Sequence, residues 1–372
     1  MKIGIYNPRV GITRSGGTET FLREIIERLQ HKHELYLYCG GGSIIKEIKN
    51  FNININTISF WSKESKINQF LAKTTPLLPA EIESLSMFLS AKYSGTLMKL
   101  QQEVDVFSTH YYLDNMLLSQ KVNIPSLFRF PGIKQPSIRW KLMLRLADTD
   151  TYLVNSKSTA DRLRDWLNFE PDGTVYAGVD LEQFNPEVEP IFDEDKIVIL
   201  YVGRLDEGKG LHDLIKAQSN LGNNSRLYLI GDGTLKSELQ SNVDRLGITD
   251  SVKFLGSVPH DQIHRYYATA DIFCLPSYHE SLGLVNLEAM ASGIPVVSTQ
   301  VDAIEEYIND GENGLLVSPG DVQALTHALR QLVNSADLRT EFAASGRSTA
   351  TKFSWESQAE KMETFYKETI KK

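Results

Sequence analysis

The chain alternates short strand-like runs with amphipathic helical stretches, and it starts this alternation twice. Residues 2–6 (KIGIY) and 196–202 (KIVILYV) predict buried strands, and each run is followed by a loop and a helical pattern. Strands that alternate with helices predict an α/β fold built on parallel sheets. The polar, proline-containing residues 184–195 separate the two halves and predict a domain boundary.

Length and composition narrow the class of protein further. With 372 residues, 41% of them hydrophobic, the chain is long enough to bury two cores. We therefore predict two Rossmann-like domains, residues 1–185 and 186–355, and a last helix within residues 356–372. The formal net charge of −8 argues against a nucleic-acid partner, so an anionic ligand would need a local binding site.

Cysteine usage and apolar segments bear on the compartment. Cys39 and Cys274 lack the spacing of a disulfide framework or a metal site, which favours a reducing environment. The apolar stretch at the N-terminus is too short for a signal peptide, and no run of about 18 apolar residues occurs. We therefore expect a cytoplasmic protein.

Two glutamates bracket a Ser-Leu-Gly-Leu turn in the segment 276–297. Glu280 lies in the loop after a strand-like run, and Glu288 lies within a helix predicted over residues 284–291. Gly283 precedes that helix, and a helix start without a side chain favours a phosphate. The pattern predicts a phosphate at the helix start with a hydroxyl-binding carboxylate on each side. The alternative is an ordinary strand-loop-helix unit whose glutamates face solvent.

Two cations occupy the loop that follows the strand at residues 196–202. Arg204 comes just after this strand, and Lys209 comes just before the next helix. An arginine and a lysine that converge on one point suit a diphosphate, because both match its charge. A surface loop with two solvated cations is the alternative.

A Gly-Gly pair, Gly16 and Gly17, follows the first strand and opens a helix in the sequence GGTE. Glycines at a helix start expose N–H groups and favour an anion there. A plain connecting turn is an equal alternative. The pair is not part of a G-x-G-x-x-G fingerprint, which disfavours a nicotinamide-dependent oxidoreductase.

These segments resemble the family 4 glycosyltransferases, retaining enzymes of the GT-B fold. PSYHES and ASGIPVVST resemble the E-x7-E segment of that family, GRLDEGKG matches its G-R-L-x-x-x-K-G motif, and GGTE its first loop. The resemblance implies two Rossmann-like domains that face each other across a cleft. It also implies that the last helix crosses back to the N-terminal, acceptor-binding domain.

The resemblance assigns roles to individual residues. Arg204 and Lys209 would contact the diphosphate, Glu280 the hexose and Glu288 the ribose. The remaining nucleotide-sugar contacts would come from Gly16, Gly17, Gly231, Val258, Ser281, Gly283 and Leu284.

The first half departs from the family pattern at one position. Many members carry a histidine in a pattern like P-x-x-x-T-x-H, and Pro131 stands in its place here. His110 ends a strand-like run where ligands gather in such sheets, and it is a candidate catalytic residue. Arg129 is a candidate contact to the acceptor or sugar. A packed histidine at a strand end is the alternative for His110.

The resemblance implies a retaining, metal-independent hexosyltransferase in polysaccharide biosynthesis. The expected donor is a UDP-sugar, or second a GDP-sugar, and the expected acceptor is a glycan or lipid-linked glycan. We expect no cofactor and no metal, because Asp148 and Asp150 fit a structural turn better than a D-x-D metal motif. A catalytically silent, nucleotide-sugar-binding subunit is the alternative, motivated by Pro131.

Aromatic and basic residues are mixed in two further segments, residues 60–73 and 134–145. Such mixtures favour weak peripheral attachment to an anionic membrane, here its inner face. The alternative is a solvated helix face. Residues 60–100 otherwise read as two or three helices.

Overall fold

Parallel sheets form the centre of both halves of the chain. The computed structural model of the protein describes residues 1–12, 17–130, 132 and 138–372. Unit 1 comprises Met1–Tyr176 and Gln358–Lys372, and unit 2 comprises Ala177–Ser357. The chain thus enters unit 2 after Tyr176 and returns to unit 1 at Gln358.

Unit 1 contains a 7-stranded parallel sheet with the order β3-β2-β1-β4-β5-β6-β7. Its strands are β1 (Lys2–Asn7), β2 (Glu34–Gly40), β3 (Asn54–Ile58), β4 (Val106–Thr109), β5 (Ser126–Arg129), β6 (Thr151–Val154) and β7 (Gly173–Thr174). Its helices before the boundary are α1 (Gly17–Leu29), α2 (Lys46–Asn50), α3 (Lys66–Thr74), α4 (Pro79–Tyr93), α5 (Thr96–Glu103), α6 (Tyr112–Ser119), α7 (Ile138–Leu146) and α8 (Lys157–Leu167).

Unit 2 contains a 6-stranded parallel sheet with the order β10-β9-β8-β11-β12-β13. Its strands are β8 (Ile197–Val202), β9 (Ser225–Ile230), β10 (Val252–Gly256), β11 (Ile272–Leu275), β12 (Val296–Thr299) and β13 (Leu315–Val317). Its helices are α9 (Leu211–Leu221), α10 (Lys236–Leu246), α11 (His264–Tyr267), α12 (Leu284–Ala291), α13 (Val322–Asn334) and α14 (Ala336–Lys352), with short 3₁₀ turns at Gly222–Asn224 and Asp302–Glu306.

The last helix, α15 (Trp355–Lys371), belongs to unit 1 from Gln358 onwards. Its Tyr366 hydroxyl lies 2.8 Å from the Ser108 hydroxyl, and its Thr369 hydroxyl donates to Thr151 over 2.8 Å. These buried contacts attach the helix to β4 and β6. The return of the last helix to the first domain, which the resemblance implied, is therefore present.

The local sequence accounts for most of these elements. In α1, the buried apolar residues Phe21, Leu22, Ile25, Ile26 and Leu29 recur at helical spacing and form one face. In β8, five consecutive residues are buried, as expected for a strand covered on both faces of a parallel sheet. Residues 60–100 contain three helices, α3 to α5, in line with the prediction.

Each sheet has one point at which the strand order reverses direction. In unit 1 this point lies between β1 and β4, and in unit 2 it lies between β8 and β11. Ligands of open α/β sheets bind beyond the carboxyl ends of the strands at such a point. The loops after these four strands are therefore where functional side chains are expected. Within the ranges that the structure describes, every helix is too short or too polar to cross a bilayer.

Candidate functional site

In unit 2, the loops that follow β8 and β11 are joined to each other. The strands are neighbours, with Ile199 opposite Ile272, so their carboxyl ends lie side by side. Beyond them, the backbone N–H of Tyr278 donates to the carbonyl of Gly208 over 2.8 Å. The predicted cation loop and the predicted glutamate loop are therefore one structural unit.

Gly210 makes this close approach feasible. It has a left-handed φ of 64°, and a Cβ at this position would lie 1.9 Å from the Pro276 carbonyl oxygen. That distance is far below van der Waals contact, so only glycine allows the start of α9 to touch the second loop.

Replacing Gly210 with alanine is therefore expected to destabilise the protein by about 2–5 kcal/mol, combining left-handed strain with backbone overlap. The matched control is Gly208→Ala, because Gly208 also has a positive φ of 82° but nothing lies within 4 Å of its added Cβ. The control should cost about 1–2 kcal/mol from strain alone. Urea unfolding measures both free energies, and equal losses would contradict the packing argument.

Lys209 and Glu280 form an ion pair between these two loops. The Ser277 hydroxyl also donates to the same Glu280 oxygen over 3.2 Å. Both charged side chains are mostly buried. The sequence predicted that both residues bind the donor, and the structure shows that each compensates the other's charge.

Arg204 occupies a different position in the loop. Its guanidinium lies 2.8 Å from an Asp206 oxygen, and its side chain is 78% exposed. Asp206 also accepts hydrogen bonds from the backbone N–H and hydroxyl of Thr234, which lower the pKa of its carboxyl. Arg204 is thus a solvent-facing cation with a neighbouring carboxylate, in contrast to the enclosed Lys209.

The start of α12 follows the glutamate loop as the sequence predicted. Gly283 caps the helix with a left-handed φ of 71°, and the buried Tyr307 hydroxyl donates to the Leu282 carbonyl over 2.7 Å. The first N–H groups of a helix have no partner within the helix, and in α12 these are the groups of Leu284 and Val285, because the Asn286 N–H donates to the Gly283 carbonyl over 2.8 Å. Ser281 is exposed immediately before this helix start. The geometry suits a phosphate group at this point.

Glu288 lies in α12 and is held by a residue that sequence reasoning missed. The hydroxyl of Tyr267 donates to Glu288 Oε2 over 2.7 Å. Burial, and then the neighbouring carboxylate, raises the pKa of Tyr267 well above its ordinary value, so its hydroxyl keeps its proton. His260, which is 72% exposed, places Nε2 3.5 Å from the other Glu288 oxygen. No sequence signal identified either partner, because both contacts arise from packing of α11 and its preceding loop on α12.

Gly231 and Val258 lie in neighbouring loops of unit 2. A Cβ on Gly231 would lie 1.8 Å from the Gly203 carbonyl oxygen, so this glycine lets the end of β9 pack against the cation loop. Its N–H also donates to the Gly256 carbonyl over 2.8 Å. Val258 is half-buried in the loop after β10. The observed contacts of Gly231 are thus structural ones that support the cation loop.

The structure describes one of the two glycines that were predicted to bind the donor at the start of α1. Gly16 lies outside the described residues, whereas Gly17 is exposed and begins α1. Glu19, in the same GGTE sequence, is buried and accepts a hydrogen bond of 2.6 Å from the Tyr111 hydroxyl. This contact attaches the start of α1 to the segment after β4.

His110 is fully buried at the carboxyl end of β4. Its Nε2 lies 3.4 Å from the Ser108 hydroxyl, and its Nδ1 has no hydrogen-bond partner among the described residues. Burial, and then the charge of Arg129, lowers the pKa of His110 to about 3. The imidazole is therefore neutral near pH 7, and with one donor and one acceptor nitrogen it suits hydrogen bonds to a hydroxyl.

Arg129 ends β5 with its side chain buried. Its Nε and Nη2 donate to the Val175 carbonyl over 3.0 and 2.8 Å, and its guanidinium lies 3.6 Å from the centre of the Phe21 ring. Burial lowers the pKa of Arg129 to about 9. These contacts give Arg129 a packing role in unit 1. Pro131, the departure from the family pattern, lies outside the described residues.

Further buried polar atoms that have no hydrogen-bond partner among the described residues surround the strand-order reversal of unit 1. They include the Tyr6 hydroxyl and Asn7 Nδ2. The carboxylate of Asp114 on α6 is buried near Tyr6, with the Ser84 hydroxyl as its hydrogen-bonding neighbour. Burial raises the pKa of Asp114 to about 8, with the Ser84 hydroxyl opposing this shift and the Glu83 charge adding to it. Sequence reasoning did not identify this cluster, since Asp114 lies in an ordinary amphipathic pattern. Groups of this kind are what a polar ligand satisfies on binding.

The second acidic residue of the D-x-D sequence, Asp150, stabilises the fold. Asp150 accepts hydrogen bonds from the backbone N–H of Ser126 over 2.8 Å and from its hydroxyl over 3.2 Å. The carboxylate therefore caps the beginning of β5. This contact agrees with the structural turn that the sequence favoured.

Comparison with known proteins finds a family model that matches the second half of the chain. Residues 184–349 match the family model described as glycosyl transferases group 1. The chain is 35% identical over 211 residues to the lipopolysaccharide core biosynthesis glycosyltransferase LpsE of Rhizobium meliloti, a match that covers 54% of this chain and 59% of LpsE. It is 30% identical over 246 residues to a D-inositol 3-phosphate glycosyltransferase of Corynebacterium kroppenstedtii, covering 60% of this chain and 54% of that protein. The matches thus span little more than half the length of these curated relatives.

Comparison of folds extends the similarity to glycosyltransferases beyond residues 184–349. Anabaena HepE, solved in complex with UDP, superposes with a TM-score of 0.76 and 19% identity, over 99% of this chain and 100% of HepE. At this identity the likeness shows a shared fold. The predicted α/β architecture of two Rossmann-like domains, the GT-B fold, is confirmed.

Proposed function

We propose that this chain, whose residues 184–349 match the family model of glycosyl transferases group 1, is a retaining hexosyltransferase of family 4. It moves a hexose from a nucleoside diphosphate sugar to a glycan or lipid-linked glycan acceptor. A UDP-sugar is the preferred donor, in agreement with the complexes of HepE with UDP and UDP-glucose. The name of LpsE supports a role in assembling a cell-surface polysaccharide.

One observation carries this proposal: the cation Lys209, the start of α12 and two glutamates share the strand-order reversal of unit 2. The diphosphate would bind at Gly283 and Leu284, where helix N–H groups favour an anion. Lys209 pairs with Glu280, which precedes this helix start by three residues. Glu280 would then bind the hexose hydroxyls, and Glu288 the ribose hydroxyls.

The proposed reaction breaks the bond between the anomeric carbon of the hexose and the phosphate oxygen. The acceptor hydroxyl forms its bond to that carbon on the same face, and the departing phosphate takes the acceptor's proton. Lys209 and Arg204 compensate the charge that develops on the diphosphate, a contribution worth a few kcal/mol for one well-placed donor. We propose that these cations replace a metal, so that the enzyme needs no metal and no other cofactor.

We assign acceptor binding to unit 1, at the strand-order reversal of its own sheet. Buried there, without hydrogen-bond partners in the part of the chain that the structure describes, are His110 Nδ1, Asn7 Nδ2 and the Tyr6 hydroxyl. Such neutral groups match the hydroxyls of a sugar, because each hydroxyl both donates and accepts a hydrogen bond. The free, buried Cys39 and Cys274 are consistent with a cytoplasmic location, which we propose for the enzyme.

The first test is calorimetric binding of UDP and GDP in the presence of a chelator, with wild-type protein and Glu288→Ala. Loss of hydrogen bonds from ribose hydroxyls to a carboxylate should weaken binding of the preferred nucleotide by about 10- to 100-fold. The matched control is Glu341→Ala, an exposed glutamate on α14 of the same unit. Its nucleotide affinity should equal that of the wild type.

Three results would change the proposal. If neither nucleotide binds at millimolar concentration, the donor site is not functional as described. Equal weakening by Glu288→Ala and Glu341→Ala would remove the ribose assignment. Nucleotide binding without any sugar transfer by the purified chain would favour the silent-subunit alternative.

A further inference from the structure

The two glutamates of the candidate donor site are held by different kinds of partner. Glu280 forms an ion pair with Lys209, whereas Glu288 accepts a hydrogen bond of 2.7 Å from the hydroxyl of Tyr267. The side chain of Glu288 is mostly buried. A tyrosine hydroxyl is a neutral donor, so it directs a carboxylate oxygen without cancelling the negative charge. Hydrogen bonds to a charged group are stronger than those between neutral groups, and Glu288 remains able to form them.

Tyr267 is fixed in place by the rings around it. It lies in α11 and is fully buried. Its ring packs edge-on against Phe184, with the ring centres 5.5 Å apart, and against Phe273 of β11, with the ring centres 5.6 Å apart. Protein interiors are close-packed, so a buried ring with these neighbours cannot turn away without opening the core. The hydroxyl of Tyr267 therefore has a fixed position.

The same hydroxyl lies against the first turn of α12. Its oxygen is 3.4 Å from the carbonyl oxygen of Val285. Leu284 and Glu288 are four residues apart, so they lie on the same face of the helix and about 6 Å apart along its axis. Tyr267 thus holds the Glu288 carboxylate at a set distance from the helix start, where we place the diphosphate.

The two oxygens of the Glu288 carboxylate have different surroundings. Oε2 is bound to the buried Tyr267, whereas Oε1 lies 3.5 Å from Nε2 of His260, whose side chain is largely exposed. An ionised carboxylate has roughly four acceptor sites, and the Tyr267 hydroxyl occupies one of them. The remaining acceptor sites have a fixed direction and can receive hydrogen bonds from a ligand.

We propose that Tyr267 is a positioning residue for recognition of the ribose: its hydroxyl holds the Glu288 carboxylate in the orientation that binds the 2′- and 3′-hydroxyls of the donor nucleotide. This inference rests on the ribose role of Glu288 under the proposed function, and it adds the residue through which that role is set. Without the hydroxyl, Glu288 would lose rotational freedom each time a ligand binds. That loss weakens the binding of ribose hydroxyls and leaves the rest of the nucleotide unaffected.

A purely structural role for the Tyr267 hydroxyl is the alternative. The hydroxyl would then stabilise the packing of α11 on α12, and its removal would weaken every nucleotide equally. The ratio of two affinities separates these roles. One is the affinity for UDP, and the other is the affinity for 2′,3′-dideoxyuridine diphosphate (ddUDP), which lacks both ribose hydroxyls.

The test is calorimetric binding of UDP and ddUDP to the wild type and to Tyr267→Phe, which keeps the packed ring. The wild type should bind UDP about 10- to 100-fold more tightly than ddUDP, because ddUDP cannot donate hydrogen bonds to the carboxylate. Tyr267→Phe should weaken the binding of UDP by about 3- to 10-fold and leave the binding of ddUDP unchanged. Added to Glu288→Ala, Tyr267→Phe should have no further effect on UDP binding, because the hydroxyl acts through the carboxylate.

The matched control is Tyr228→Phe. Tyr228 is also a buried tyrosine of unit 2, and its hydroxyl donates to Glu194 over 2.6 Å, next to the amino end of β8. This variant loses the same kind of hydrogen bond and should keep the wild-type ratio of UDP to ddUDP affinity. If Glu288→Ala lowers that ratio but Tyr267→Phe does not, the positioning role is overturned and the ribose assignment stands. A ratio that Glu288→Ala leaves unchanged would overturn both.

Discussion

Replacing Lys209 with methionine is expected to slow turnover of the nucleotide sugar by roughly 10²–10³-fold, the loss typical of removing one charge-stabilising donor. Methionine keeps the apolar length of the side chain and removes its charge. The loss has two physical causes. The diphosphate loses the cation that compensates its developing charge, and Glu280 remains as a mostly buried carboxylate without the ammonium group that now pairs with it. Release of the nucleotide, with water or sugar as acceptor, measures the rate.

Binding experiments separate the diphosphate role of Lys209 from a general structural role. Lys209→Met should weaken the binding of UDP by about 10- to 100-fold and leave the binding of UMP unchanged, because UMP lacks the second phosphate. Glu280→Gln should release Lys209 from its ion pair and tighten the binding of UDP by a few-fold. It should also slow sugar transfer, because the contact with the hexose is lost. Lys216→Met, on the exposed face of α9, is the control and should change neither UDP binding nor sugar transfer. Equal losses for UDP and UMP would contradict the assignment.

Replacing Asp114 with asparagine is expected to change how the stability of unit 1 depends on pH. Burial raises the pKa of Asp114 to about 8 in the folded state. The ordinary value is near 4, so between these values the unfolded chain has released a proton that the folded chain retains. The wild type therefore loses up to about 1.4 kcal/mol of unfolding free energy per pH unit as the pH rises through this range. The contribution is fully present below about pH 4 and is lost as the pH rises through about 8.

Asparagine does not titrate, so this loss should be missing from the variant. The unfolding free energy of Asp114→Asn relative to the wild type should rise by roughly 2–3 kcal/mol from about pH 5 to about pH 7. Trp61, Trp140 and Trp166 belong to unit 1, so tryptophan fluorescence in urea follows mainly that unit. Asp165→Asn, an exposed aspartate on α8, is the control. A difference between Asp114→Asn and wild type that stays constant with pH would show that Asp114 is ionised in the folded chain.

The order of strands and helices was predictable because it depends on local patterns. The runs predicted as strands at residues 2–6 and 196–202 correspond to β1 and β8, and the helix predicted over residues 284–291 corresponds to α12. Both sheets follow from the alternation of these elements, since strands joined through helices form parallel sheets. Periodicity does not predict that Asn68 is buried. Its side-chain amide donates to the carbonyl of Trp61, before α3, and to that of Pro79, after α3, and these contacts place Asn68 on the buried face of the helix.

The candidate donor site was predictable as a set of residues, but not as a set of contacts. The motifs pointed to Lys209, Glu280 and Glu288, and unit 2 brings the first two together across 71 positions of sequence. Tyr267 and His260 escaped prediction, because their contacts with Glu288 depend on how α11 and its preceding loop pack on α12. In unit 1, the burial of His110 and Arg129 gives these residues neighbours that no motif described.

The sequence by itself determined the α/β class, the two Rossmann-like halves and the loops that carry the charged residues of the donor site. These features follow from hydrophobic period and from glycine positions, which act within a few residues of the chain. The tertiary structure alone decided the pairing of Lys209 with Glu280, the burial of Asp114 and the burial of Asn68 on α3. Each of these depends on which distant segments meet and on whether water can reach the side chain, and both are set only when the sheets and helices pack together.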